Sequence, residues 1–155
     1  MTTLSDKIFH DPGITIGAPE FSFNKMNQSR NQLTLSVAGK RGFMISKDNA
    51  EHYVWGNNCD GWHLLKRQDL SIIHEHMPPA TAETRHFHVH SRQFFFVLEG
   101  ELTMEIEGIV HLLQAQQGIE ISPGAKHQAR NDGNDSVTFL VISHPSTRGD
   151  RTDLT

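Results

Sequence analysis

The apolar positions of this chain alternate in twos; they do not recur every third or fourth residue. From Leu70 to Met77, Ile72, His74 and His76 share one face while Ile73, Glu75 and Met77 share the other, and Pro78-Pro79 ends the run. Phe94-Phe95-Phe96-Val97-Leu98, headed by Gln93, is a β-prone stretch that closes at Glu99-Gly100. Leu102, Met104 and Ile106 supply its partner strand, and Glu107-Gly108 turns the chain into Ile109 to Leu113. Gly118 to Ile121 leads to a corner at Pro123-Gly124. Ala125 to Arg130 and Val137 to Ile142 follow as strands, separated by the turn-forming cluster Asn131 to Asp135. Upstream, Asn57-Asn58 and Asp60-Gly61 read as turns among Tyr53, Trp55 and Trp62, aromatics placed to close one end of a barrel. Short strands at regular spacing, with no helical periodicity, predict an all-β sandwich or barrel.

The pattern is uneven along the chain. Residues 1–43 are rich in Asn, Gln, Ser, Thr and Gly, and only Gln32 to Val37 alternates, with Leu33, Leu35 and Val37 on one face. This reads as a poorly organised N-terminal extension that adds at most one strand to a sheet edge, followed by a barrel domain over 44–155. A natural start at Met44 is the second reading. The polar tail after His144 is expected to fray.

Composition narrows the classes. At 155 residues, one domain with one core is the default. The net charge of −4, without a run of Lys and Arg, argues against nucleic acid and anionic membranes as partners. Cys59 is the single cysteine, which excludes an intrachain disulfide and suits a reducing compartment. The first residues lack the apolar stretch of a signal peptide, and no apolar run approaches the ~18 residues of a spanning helix. The expectation is a cytoplasmic protein.

The candidate chemistry lies in His86-x-His88, Gln93 and the distant His127. In a strand, side chains two apart point the same way, so His86 and His88 can reach one ion. Gln93 and His127 join them only if the fold brings separate regions together. His90 shares the parity of the pair, but the chain is expected to turn there. An alternative role for Gln93 is to orient a histidine while the ion takes three imidazoles. Glu75 and His76 are the candidate acid/base groups, and their strand can show only one of them to a cavity. Phe94, Phe96 and Leu98 point opposite to Gln93. An apolar outer face of that kind predicts a homodimer.

These residues resemble two motifs of the cupin superfamily. The first, roughly G-x5-H-x-H-x3-4-E-x6-G, is met by His86, His88 and Gly100, with Gln93 in place of Glu and Ala80 in place of the leading Gly. The second, roughly G-x5-P-x-G-x2-H-x3-N, is met by Gly124, His127 and Asn131, with Gln116 for the first Gly and Ser122 for the Pro. The resemblance covers about residues 60–143. It implies a double-stranded β-helix, the jelly-roll cupin barrel, with one divalent transition ion (Zn, Ni, Fe, Cu or Mn) held by His86, His88, Gln93 and His127. Three neutral imidazoles and an amide leave the ion's charge undiminished, which favours Lewis-acid chemistry over oxygen chemistry. The His-x-His-x4-Gln…His set is similar to that of polyketide cyclases and of cupins that open or ketonise unsaturated uronates. The expected function is therefore non-redox isomerisation, cyclisation or ketonisation of a small oxygenated metabolite. A cupin dioxygenase and a non-enzymatic small-molecule sensor are the alternatives.

Overall fold

A computed structural model describes residues 35–37 and 40–154. Most of the expected extension, including the start of its alternating stretch, lies outside the described residues. Within it, β1 (Leu35–Val37) pairs antiparallel with β2 (Lys40–Gly42) in a ribbon of its own, without joining a sheet edge.

Twelve further strands follow in chain order: β3 (Glu51–Trp55), β4 (Cys59–Lys66), β5 (Ser71–Met77), β6 (Thr81–Ala82), β7 (His86–His88), β8 (Arg92–Glu99), β9 (Glu101–Ile106), β10 (Ile109–Gln114), β11 (Gly118–Ile121), β12 (His127–Asn131), β13 (Val137–His144) and β14 (Arg151–Asp153). They form two antiparallel sheets. One runs β10-β9-β12-β7-β14 with β6 beside β12, and the other runs β11-β8-β13-β5-β4-β3. Consecutive strands repeatedly change sheet, the connectivity of a jelly-roll barrel. No described helix is long and apolar enough to cross a membrane.

Alternation sends one set of side chains inward from each sheet. Met77, Phe95, Val97, Phe139 and Val141 meet Leu102, Met104 and Ala129 to form the buried core, with Phe95 stacked on Phe139 at 5.9 Å between ring centroids. Polar side chains at inward positions of the same strands, Glu75, Gln93 and Ser143, mark where the core gives way to a cavity.

Two local expectations change. Asp60-Gly61 lies inside β4 and forms no turn; the turn is confined to 56–58, where Gly56 and Asn58 take positive φ. The tail does not fray. It returns as β14, pairs with β7 from His86 to His88, and is anchored by Asp150, whose carboxylate accepts the N–H groups of Val89, His90 and Ser91. A polar segment ordered by backbone donors leaves no trace in an apolar pattern.

Candidate metal centre

The three histidines come from neighbouring strands of one sheet. His127 on β12 lies directly across from His86 on β7, and His88 projects from the same face two residues on. All three are buried, and one nitrogen of each lies within 4.8 Å of the other two. The ring centroids of His86 and His127 are 4.3 Å apart.

Backbone carbonyls set the tautomers. Nδ1 of His86 donates to Thr84 O at 2.9 Å, Nδ1 of His127 to Ala125 O at 2.9 Å and Nδ1 of His88 to Asp150 O at 3.1 Å. A proton held on Nδ1 leaves Nε2 with a bare lone pair, the form in which imidazole binds a metal. Burial is the first cause holding all three rings below the usual histidine range, with His86 brought down to about 3. The site therefore presents neutral rings at pH 7.

Their free ends are unpartnered. Nε2 of His88 and His127, and Oε1 of Gln93, are buried acceptors without a hydrogen bond. Each such orphan costs about 1–3 kcal/mol. A protein sustains that cost where a ligand removes it. Nε2 of His86 has only the Arg151 guanidinium, at 3.3 Å. Gln93 reaches the cavity from the opposite sheet, and its amide nitrogen faces Ser143 Oγ at 3.4 Å, which turns the oxygen away from that hydroxyl. Three neutral imidazoles gathered within 4.8 Å fit a divalent transition ion with open positions left over.

His86 and Gln93 line a cavity of about 330 Å³ together with Tyr53, Glu75, Glu83 and Arg151. Glu75, an inward residue of β5, is the predicted acid/base candidate that reaches it. Its position rests on Gly61. Tyr53, Gly61 and Glu75 occupy one row across β3, β4 and β5, and a Cβ on Gly61 would lie 2.3 Å from the tyrosine ring. The missing side chain lets Tyr53 lie across β4 and donate its hydroxyl to Glu75 Oε1 at 2.8 Å. Burial first, and then the charge of Glu83, push the Glu75 carboxyl up to about 8. Burial likewise raises Glu83, against the pull of Arg151 at 3.7 Å.

His76 is placed on the other face of β5. Its Nδ1 lies 3.6 Å from Asp60, and it does not line the cavity. His90 is exposed in the bend after β7. Trp62 also faces outward, between His52 and His74, whereas Tyr53 and Trp55 line the cavity. Glu83 and Arg151 were not among the residues singled out above. Glu83 sits in a connecting segment and Arg151 in the polar tail, and neither carries a pattern that marks it.

The two stacked sheets and the buried histidines define a double-stranded β-helix with a candidate metal centre inside. Residues 73–143 match the cupin domain family, and over that span the chain is a cupin. It is 34% identical over 69 residues to the polyketide synthase CurC of Streptomyces cyaneus, covering 44% of this chain and 45% of that protein. It is 32% identical over 73 residues to an oxidoreductase of Arthrobotrys oligospora, covering 44% of this chain and 29% of that one. The chain thus spans less than half the length of these two relatives. Among solved structures, the polyketide cyclase RemF of Streptomyces resistomycificus superposes with a TM-score of 0.62 at 15% identity, over 72% of this chain and 84% of that one. That likeness is one of fold.

Proposed function

We propose that this cupin is a metal-dependent enzyme that uses Lewis-acid chemistry without net redox to isomerise, cyclise or ketonise a small oxygenated metabolite. One observation carries the reading: the buried, unpartnered Nε2 atoms of His88 and His127 and Oε1 of Gln93, beside three Nδ1 atoms tied to carbonyls. Gln93 as the fourth ligand is part of the proposal. A bound divalent ion supplies polarisation of a carbonyl or enolate oxygen. The protein's own groups do the rest. Glu75, protonated near neutral pH and hydrogen-bonded by Tyr53, gives and takes the proton at its carboxyl. Arg151 sets a positive charge beside the cavity. Trp55, Ile73, Phe95 and Val141 line the walls with apolar surface.

The similarity to the polyketide synthase CurC supports an oxygenated, polyketide-like substrate, and the fold shared with the polyketide cyclase RemF is compatible with cyclisation as one form of this chemistry. The oxidoreductase relative supports redox chemistry as the second reading; a cupin dioxygenase with a redox ion at the same histidines is the form of it that this site could take.

Elemental analysis of freshly purified protein beside His88→Ala decides the first point. The expected result is near-stoichiometric zinc, nickel or manganese, lost in the variant. Iron or copper would move the assignment to the oxygenase. No metal after reconstitution with divalent ions would leave a metal-free binding cupin.

The same reading includes a homodimer in the cytoplasm. Phe94, 40% exposed, stacks on Phe96 on the outer face of β8, with Leu98 beyond. The mass in solution, followed by light scattering over a range of concentrations, is expected to be that of two chains. A monomer throughout would remove this part.

A further inference from the structure

A second, larger cleft opens beside the histidine cavity. Its volume is about 1040 Å³, and the two share Tyr53, Ile73 and Thr147 in their linings. One wall is the end of β4 and the β4–β5 turn, which brings Lys66, Arg67 and Gln68. The other is the loop before β14, which brings Arg148. The walls are tied together by the Ser146 N–H donating to the Gln68 carbonyl at 2.9 Å.

The charge of this cleft is one-sided. Lys66 is paired with Glu51 at 2.6 Å. Arg67 and Arg148 form no ion pair among the described residues. The chain as a whole is acidic, so two guanidinium groups outside any ion pair, brought to one cleft from positions 81 residues apart (148 − 67), are a local departure; Arg148 acts on the Glu51 carboxylate only at longer range. Beneath them lies a second sign of a ligand. Ser71, 4% exposed, lines the cleft with its Oγ buried and without a partner. Nδ1 of His63, on the same lining, is likewise buried and unpartnered. Guanidinium forks and a buried hydroxyl donor are complementary to the oxygens of a carboxylate or phosphate.

We propose that this cleft is an anion subsite, which takes a carboxylate or phosphate group of a substrate whose other end reaches the histidine cluster. The inference deepens the reading of the site as an enzyme centre and rests on it. It narrows the substrate class to acids and phosphate esters long enough to pass Tyr53 and Thr147. The lone Lys66–Glu51 pair flanks the subsite and contributes no net charge.

The test measures direct binding of inorganic phosphate and of glutarate by calorimetry at fixed ionic strength, with chloride as the control anion. The proteins are the full chain, Arg67→Gln/Arg148→Gln, the corresponding double Lys variant, and His88→Ala. The expected result is saturable binding of at least one anion, weakened tenfold or more in the Gln variant, partly restored by Lys and unchanged in His88→Ala. Preference for phosphate or glutarate then names the group. Near-ultraviolet circular dichroism confirms that each variant is folded. Binding that survives the Gln pair but is lost in His88→Ala would place the anion at the histidines and overturn the proposal, as would saturable binding of neither anion. Elemental analysis fails or succeeds independently of these outcomes, so the subsite and the metal centre are judged apart.

Discussion

Glu75 couples the chemistry of the cavity to the stability of the fold. Its carboxyl has an ordinary value of 4.5 and is raised to about 8 by burial and by the neighbouring Glu83. Between those values the unfolded chain has released this proton while the folded protein still holds it. The folded state then binds more protons than the unfolded one, so stability falls as pH rises, by about 1.4 kcal/mol per unit. The loss is absent below pH 4.5, grows through neutrality and levels off above about 8. By pH 7 it amounts to roughly 3 kcal/mol, an upper figure because denatured chains keep some structure and buried sites admit some water. Glu75→Gln removes the titration and keeps an oxygen to accept the Tyr53 hydroxyl. The variant is expected to equal the parent near pH 4.5 and to exceed it by an amount that grows toward pH 8, while losing the proton transfer assigned to Glu75. Urea unfolding followed by tryptophan fluorescence, with a chelator present, measures the difference at each pH. In thermal melts, roughly 3 kcal/mol corresponds to about 6–12 °C for a chain of this size. Comparing the two proteins cancels the three histidines, whose lowered values act in the opposite sense and remove stability as pH falls. A difference that is flat across pH 5–8.5 would show an ordinary carboxylate and refute both the burial argument and the acid/base role.

Four further outcomes are expected. Ala80 and Gln116, which stand where the motifs have glycine, are held at φ 57° and 68° by N–H bonds to Asn131 O and Val97 O; Ala80→Gly and Gln116→Gly should each stabilise by about 0.5–1 kcal/mol, the left-handed penalty less the added freedom of the unfolded chain, as read from denaturant midpoints. Asp150→Ala frees the turn after β7, whose geometry supports the His88 Nδ1 contact, and should weaken metal binding by roughly 10–100-fold in a competition titration. Gly61→Ala drives the Tyr53 ring off Glu75 and should lower turnover more than metal content, which activity and elemental analysis on one sample will separate. Gln93→Glu should retain the ion but diminish its Lewis acidity; a rise in turnover on a non-redox substrate would contradict the role given to the amide.

The parts of the site that were legible in the sequence are those that depend on parity. His86 and His88 share a face because strands repeat every two residues, and Glu75 points inward because it stands two residues from Ile73 and from Met77. The same rule separates Glu75 from His76, although it leaves open which of them is inside; packing against the opposite sheet, where Met77 joins Leu102, Met104 and Ala129 in the core, decides that. Illegible were the contributions of residues whose partners are remote and polar. Tyr53 looked like a barrel plug because nothing in its own strand reveals that Gly61, next in the row, clears a path to Glu75. Arg151 and Asp150 looked like solvent-facing tail because their partners, the bend after His88 and the Nε2 of His86, lie about 60 residues upstream.

That remote connection bears on how the centre works. The carboxylate of Asp150 gathers three N–H groups of the bend that follows the ligand strand, while its own carbonyl takes the Nδ1 proton of His88. One residue thus fixes both where His88 sits and which of its nitrogens is free. Arg151, the next residue, contacts Nε2 of His86 and approaches Glu83, whose charge raises Glu75. The loop that carries Arg148 into the anion cleft ends at Asp150. Ligand geometry, the proton-holding carboxyl and the cationic cleft are therefore joined through one short C-terminal segment. Anything that pulls β14 away from β7 would disturb all three together, whereas changes at the exposed faces of the edge strand β10, which pairs with β9 and with neither β7 nor β12, should leave them intact.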